Sequence, residues 1–523
     1  YNHSMKKILL LLVLSFFSTQ SFAGSCPDGS EPVKSISADG TYFVYNCSGT
    51  QKDNTTSNSS SNDSSSGIDT YGGGNPPEEA ILNNETLRYF LHRYLYLMPD
   101  WNLKFHTVKG SNSPFNFQFD LREDEYIKQQ MQTTPLLSYL LYEDDKIVID
   151  EITPKDRFGD MFADSSLYHS RSMGKSIASY IMGHAICDGT IESVDSRLDD
   201  WSVLEDTLYH NQKLIDMLNM SSGDSAYFRF GTNNLLLSGR NTNDESIQSI
   251  MKNEFKGSKK SYTQYYYSEP NPDSVLSYLL FKYGDAEFKK LLDDVFMKKA
   301  RVRDEFIIGK HQNATKDEKS LFATNYASRY DYLRIAKAML DDWQNDTCVG
   351  QYLKTIHERR VGKGARKVAR DDSRVGMPKS YAGFFHTGYS GMENRPVMAM
   401  DGWGGQTITI DFERGRIIAT LSIHDSMEFP KPTSFNWKKI VYEKIKNGKP
   451  ASKSITTKTV KPVIDPEQLI LDNKARKEAE RKAKKYWVDY YDKILGTSAI
   501  GSGEEKSGLC KWASDIYIDF CSD

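Results

Sequence analysis

Between about residues 130 and 425 the apolar positions gather into short runs whose spacing changes from strand-like to helix-like and back. Leu136 to Leu141 and Ile147 to Ile152 are apolar runs of strand length. They are separated by Glu143-Asp144-Asp145, a charged turn, and so predict a β-hairpin. From Ser172 onward apolar residues recur at Met173, Ile177, Ile181 and Ala185, the spacing of one helical face. Helices alternating with loops are expected as far as about Trp343, among them one through Val275 to Leu280. Thr407 to Phe412 and Arg416 to Ile423 then predict a second strand pair, again across a charged turn. Strands first, helices in the middle and strands last imply an α+β fold in which both ends of the domain build one antiparallel sheet.

The flanks follow other patterns. Met5-Lys6-Lys7, the apolar run Ile8 to Phe17 and the small-residue end Ser21-Phe22-Ala23 predict a secretory signal over residues 1–23. The run is too short to span a bilayer, and residues 1–4 would precede the natural start or form a short extension. Ala-Gly-Ser before Cys26 is a poor lipid-acylation box. Residues 24–47 read as a small hairpin closed by Cys26 and Cys47 around the turn Ala38-Asp39-Gly40. Ser48 to Pro77 is a Ser/Asn-rich tether with too little apolar surface to offset its chain entropy. Residues 78–448 form the main domain. Residues 449–523 form a Lys/Arg/Glu/Ala-rich helical extension whose tail is closed by Cys510 and Cys521. Cys187 and Cys348, in and after predicted helices, are expected to be free and buried.

Composition narrows the function classes. The 523 residues carry 67 Lys+Arg against 70 Asp+Glu, a net charge of −3, with no clustered cation surplus for a nucleic-acid partner. Only 38% of residues are hydrophobic, a deficit concentrated in the tether and the charged extension. No later segment is apolar enough for a stable membrane span, so an exported protein, periplasmic or secreted, is expected.

The segment Ser170-Arg171-Ser172-Met173-Gly174-Lys175-Ser176 carries the chemistry. A serine three residues before a lysine at a helix start places both side chains on one face, a turn apart. Ser172 can then act as a nucleophile if the Lys175 amine or another base takes its proton. Free lysine is protonated at neutral pH, so burial or a second cation would have to lower its pKa. The helix N-terminus favours a developing oxyanion. Ser4/Lys7 and Ser249/Lys252 share the spacing, but only Ser172 opens an apolar helix after an apolar hairpin. Gly174-Lys175-Ser176 is not a phosphate loop, because His169 stands where that loop needs glycine. Gly-x-Ser-x-Gly, His-Glu-x-x-His and Cys-x-x-Cys patterns are missing from the sequence, and no metal or organic cofactor is expected.

The hairpin, Ser172 to Ser176, Asp188-Gly189-Thr190-Ile191, Val194-Asp195, Leu214 to Gly223 and Tyr330-Asp331-Tyr332-Leu333-Arg334 together resemble the β-lactamase-related serine hydrolases. Within them the chain looks closest to class C β-lactamases, their esterase relatives and 6-aminohexanoate-oligomer hydrolases. The resemblance implies a β-lactamase/transpeptidase-like fold with a helical domain beside the sheet. It also implies a tyrosine sharing the nucleophile's proton, here Tyr267 from Tyr265-Tyr266-Tyr267-Ser268-Glu269-Pro270-Asn271, with Tyr266 as the alternative. Glu269 stands where the family has asparagine and cannot donate to a substrate amide carbonyl. The third motif is assigned by position to Asp401-Gly402-Trp403-Gly404-Gly405-Gln406. Gly402, Gly404, Gly405 and Gln406 would line substrate, and the Trp403 and Ser172 N–H groups would form the oxyanion hole. His386-Thr387-Gly388 matches by letters alone, leaving His386 on a loop near the cleft or on the surface. The expected reaction is ester or amide cleavage through an acyl-enzyme on Ser172. A penicillin-recognising D,D-carboxypeptidase or β-lactamase and a non-catalytic binding protein are the alternatives. Selectivity is expected in Ala226 to Tyr262 and in a loop from Val361 to Phe385; substrate identity and oligomeric state stay open.

Overall fold

The computed structural model describes residues 33–36, 43–46, 91, 104–159, 161–227, 245–261, 264–311, 313–364, 378–402, 404–423 and 436–448. The chain divides into two units, Tyr1–Gly72 and Gly73–Asp523. In the first, β1 (Val33–Ile36) pairs antiparallel with β2 (Phe43–Asn46), on either side of the predicted turn. Cys26, Cys47, Cys510 and Cys521, the signal segment, the tether and the charged extension lie outside the described residues.

The second unit begins with β3 (Lys104–Val108), β4 (Gln118–Phe119), α1 (Glu125–Thr133), β5 (Leu136–Glu143), β6 (Lys146–Ile152) and β7 (Tyr168–His169). Five helices follow in part: α2 (Met173–Cys187), α3 (Leu214–Leu218), α4 (Ile247–Asn253) and α5 (Pro270–Leu292) precede β8 (Phe306–Lys310) and β9 (Leu321–Ala327), and α6 (Arg329–Gln344) comes after them. Next come α7 (Cys348–Glu358), β10 (Val361–Gly362), β11 (Ser380–Ala382), β12 (Phe385–Thr387), β13 (Val397–Gly402), β14 (Gln406–Asp411) and β15 (Arg416–Ser422). A π-helical segment, Lys438–Tyr442, runs into α8 (Glu443–Lys446).

Nine strands form the main sheet in the order β10-β11-β12-β13-β14-β15-β5-β6-β4. The predicted hairpin is present, turning at Asp144 (φ 49°) and Asp145 (φ 62°), whose left-handed backbone suits a tight hairpin. β15 returns beside β5, with Ile418 opposite Leu141, so the two ends of the domain meet at the sheet centre as expected. Every residue of β5 and β15 is buried, as strands covered on both faces require. On one face Ile127 and Met131 of α1 pack with Tyr139, Val148, Ile418, Ile440 and Val441. The N-cap Asp124 holds α1 in place, its side chain accepting from the Ile127 N–H. The resulting α+β architecture is the one the sequence predicts.

Three features depart from expectation. A second sheet, β3-β8-β9-β7, stands where only helices and loops were read. The expected loop from Val361 to Phe385 contributes three short edge strands to the main sheet. Cys187 and Cys348 are not free thiols: they form a disulfide with Cα atoms 5.8 Å apart, joining the end of α2 to the start of α7. Helix spacing hides such a pairing, because a cysteine on a buried face reads as one more small apolar residue.

Candidate active site

α2 is buried on nearly every side and packs against β9, β13, α5 and α7. Gly174 permits this closeness: a Cβ there would lie 2.5 Å from the Ala323 carbonyl oxygen and 2.6 Å from Thr324 Cα. The approach to the helix is pinned to β9, since Ser170 N–H donates to the Asn325 carbonyl (2.8 Å) and Asn325 N–H to Ser170 Oγ (2.9 Å). Arg171 then takes a left-handed backbone (φ 51°), unusual for a residue with a Cβ. Ser172 follows as the N-cap, where the helix dipole is positive.

Lys175 lies one turn on, and its Nζ donates to Ser172 Oγ over 2.8 Å. The same Nζ meets Glu269 Oε2 at 2.9 Å, with side chains only 4% and 9% exposed. Tyr267 closes the group: its ring centroid is 5.0 Å from Lys175 Nζ, and its hydroxyl hydrogen-bonds with Ser172 and Lys175. Burial on its own would lower the Lys175 ammonium, but the Glu269 carboxylate and Tyr267 outweigh it and hold its pKa above the ordinary lysine value. The Tyr267 phenol is pushed up by burial, against the pull of Lys175. The site therefore does not provide the lowered lysine expected for nucleophile activation, because Glu269, which no sequence pattern pairs with Lys175, holds the ammonium.

Glu269 and Tyr267 are positioned from below. Glu269 caps α5 just before Pro270, and a carboxylate is stabilised at that helix end. Asp224, fully buried, accepts through Oδ2 from the Tyr209 hydroxyl (2.7 Å), Ser268 Oγ (2.6 Å) and Asn271 Nδ2 (2.9 Å). These bonds fix the loop between Tyr267 and α5. Asp224 was missed in the sequence, although it directly follows the Ser-Gly turn at Ser222-Gly223; burial raises its pKa.

The other predicted residues fall around this centre. Gly402 ends β13 against the turn before Ser172, where a Cβ would come within 2.5 Å of the Ser170 carbonyl oxygen. Gly404 and Gly405 take left-handed conformations (φ 89° and 92°). Gln406 is buried and directs Nε2 to the Ser422 carbonyl, 3.0 Å away, so its side chain ties β14 to the end of β15. Trp403 lies outside the described residues. Tyr266 is held by its backbone, which donates to the Met220 carbonyl (2.8 Å).

His386 lies on β12 rather than on a loop, with Nδ1 2.7 Å from Lys363 Nζ. Its ring packs edge-on against Tyr381, whose ring in turn meets that of Tyr267. A second serine–histidine–aspartate array, Ser320–His311–Asp273, has contacts of 2.9 and 3.1 Å but is wholly buried. There Ser320 Oγ accepts from the Ile247 N–H, which makes the array a structural clamp. Among the described residues no His/Cys/Asp/Glu group is arranged to hold a metal ion. No described helix is long and apolar enough to cross a membrane.

No protein-family model and no curated protein matches the sequence. The structure is similar to that of a Bacillus anthracis protein described as a 6-aminohexanoate-dimer hydrolase, with a TM-score of 0.50 and 13% identity over 70% of this chain and 94% of that one. A class C β-lactamase solved with cefoxitin is similar at a TM-score of 0.41 and 14% identity, covering 62% and 97% of the two chains. A D-stereospecific amidohydrolase from Streptomyces gives 0.42 and 11%, covering 63% and 100%. The chain has the β-lactamase-like α+β fold. At these identities the likeness concerns the fold, and function must be argued from the site.

Proposed function

We propose that the chain is an exported serine hydrolase that cleaves an ester or amide bond through an acyl-enzyme on Ser172. The observation that carries this reading is the convergence of Lys175 Nζ and the Tyr267 hydroxyl on Ser172 Oγ at the buried start of α2. In the proposed cycle Ser172 Oγ attacks the acyl carbon while its proton enters the Lys175–Tyr267 pair. The Ser172 N–H at the helix N-terminus, with the N–H of Trp403, would hold the oxyanion; Gly402, Gly404 and Gly405 would let substrate approach the backbone. The leaving group departs with a proton, and water then releases the acyl group by the same steps in reverse. The cycle requires no cofactor. The Cys187–Cys348 disulfide supports export to an oxidising compartment.

Labelling with a fluorophosphonate probe tests the assignment. Wild type is expected to label and Ser172→Ala to remain unlabelled; equal labelling of the two would remove Ser172 from the mechanism. Turnover of p-nitrophenyl esters without a persistent adduct from a fluorescent penicillin is the expected profile, since Glu269 replaces the asparagine amide at the cleft.

A further inference from the structure

Lys175 faces two partners at once, Ser172 Oγ at 2.8 Å and Glu269 Oε2 at 2.9 Å. The Lys175–Glu269 contact is shielded from solvent, while Ser172 is only partly buried. An ammonium cannot accept the serine proton, so the resting lysine must first shed one of its own. The Tyr267 phenol, which keeps its proton, is no sink for it. Glu269 is a carboxylate already in contact with the nitrogen that has to be relieved.

We propose, resting on the acyl-enzyme reading, that Glu269 is the terminal proton acceptor of the acylation step, reached from Ser172 through Lys175. As Ser172 Oγ bonds to the acyl carbon, its hydrogen moves into the Lys175–Tyr267 pair and a proton of Lys175 Nζ moves to Glu269 Oε2. The tetrahedral adduct then collapses: the bond to the leaving oxygen or nitrogen breaks, and the proton returns through Lys175 to that atom. One O–H bond and one acyl bond are lost, while one C–O bond and one bond from the leaving group to hydrogen are gained. Lys175 ends as it began, an ammonium beside a carboxylate. The ion pair is thus a proton reservoir held against the nucleophile.

The inference separates Glu269 from a merely structural partner through the pH dependence of acylation. Pre-steady-state release of p-nitrophenol from p-nitrophenyl acetate is followed from about pH 5 to about pH 10 on full-length wild type, Glu269→Gln, Glu269→Asp and Ser172→Ala. Glu269→Gln is expected to slow acylation about 100-fold at neutral pH, the scale of a lost general base. It should also move the acid limb upward by more than about one pH unit, because Lys175 must then lose its own proton to serve. Glu269→Asp keeps a carboxylate and should keep the wild-type limb at a reduced rate.

A Glu269→Gln rate within about threefold of wild type on an unchanged limb, with Ser172→Ala inactive, overturns this inference and leaves the acyl-enzyme reading standing. Hydrolysis undiminished in Ser172→Ala overturns both. If Glu269→Gln does not fold, the wild-type profile decides. A plateau reached by neutral pH supports the relay, and a rate still climbing tenfold per pH unit toward pH 10 overturns it.

Discussion

Lys175 and Tyr267 meet at Ser172 Oγ with Glu269 behind Lys175, and the three differ in role because they differ in charge. Lys175 is held as a cation by Glu269, so it orients the serine oxygen by donating to it before any proton moves. Tyr267 bridges the two and, in the proposed cycle, shares the serine proton with Lys175. Replacing Tyr267 by Phe removes that hydroxyl while leaving the ring against Tyr381. The expected result is a kcat lower by about 100- to 10,000-fold with KM changed far less, measured on a p-nitrophenyl ester. Tyr266→Phe should stay within about threefold of wild type, and the opposite ranking would transfer the role to Tyr266. The Ser172–Lys175 spacing was legible because a helix brings residues three apart together. The Lys175–Glu269 contact was not, because it depends on where a distant helix begins.

At the level of elements, the site is a junction of α2, the loop before α5 and the end of β13, and each is fixed by something remote from the serine. The loop depends on Asp224; β13 reaches the turn before α2 because Gly402 has no Cβ. The far end of α2 is fixed by the Cys187–Cys348 bond, which closes 161 residues of chain. Closing a loop of that length restricts the unfolded chain, an effect on the order of 2–5 kcal/mol. The Cys187→Ser/Cys348→Ser double variant should therefore melt several degrees below wild type by calorimetry, roughly 1–2 °C per kcal/mol for a domain of this size. A melting temperature within a degree of wild type would show that packing of α2 against β9 and β13 suffices to fix its end. Both cysteines lay within reach of a sequence reading, but their pairing did not, since each sits among apolar residues and their proximity follows from how α2 and α7 pack.

Across the whole molecule, the central sheet was readable from its two hairpins because strand pairs with charged turns are local patterns. The second sheet was not: β7 is two residues long, and β3 joins β8 across most of the helical region. What such a fold encloses also sets its response to acid. His184 on α2 is partly buried, its ring edge against Tyr180, and its Nε2 is shut away from solvent with no partner among the described residues. Burial lowers its pKa from 6.5 to about 4, outweighing the nearby Asp342. The folded chain therefore keeps His184 neutral at a pH where the unfolded chain protonates it, so its contribution is complete above pH 6.5 and drains away as the pH falls toward 4. A shift of this size corresponds to about 3 kcal/mol. In urea melts at successive pH values, the stability of wild type relative to His184→Gln is expected to fall by about that amount between pH 6.5 and pH 4. A difference that stays flat across the window would mean that the ring accepts a proton in the folded state as readily as in the unfolded one, and that the end of α2 opens to water around it.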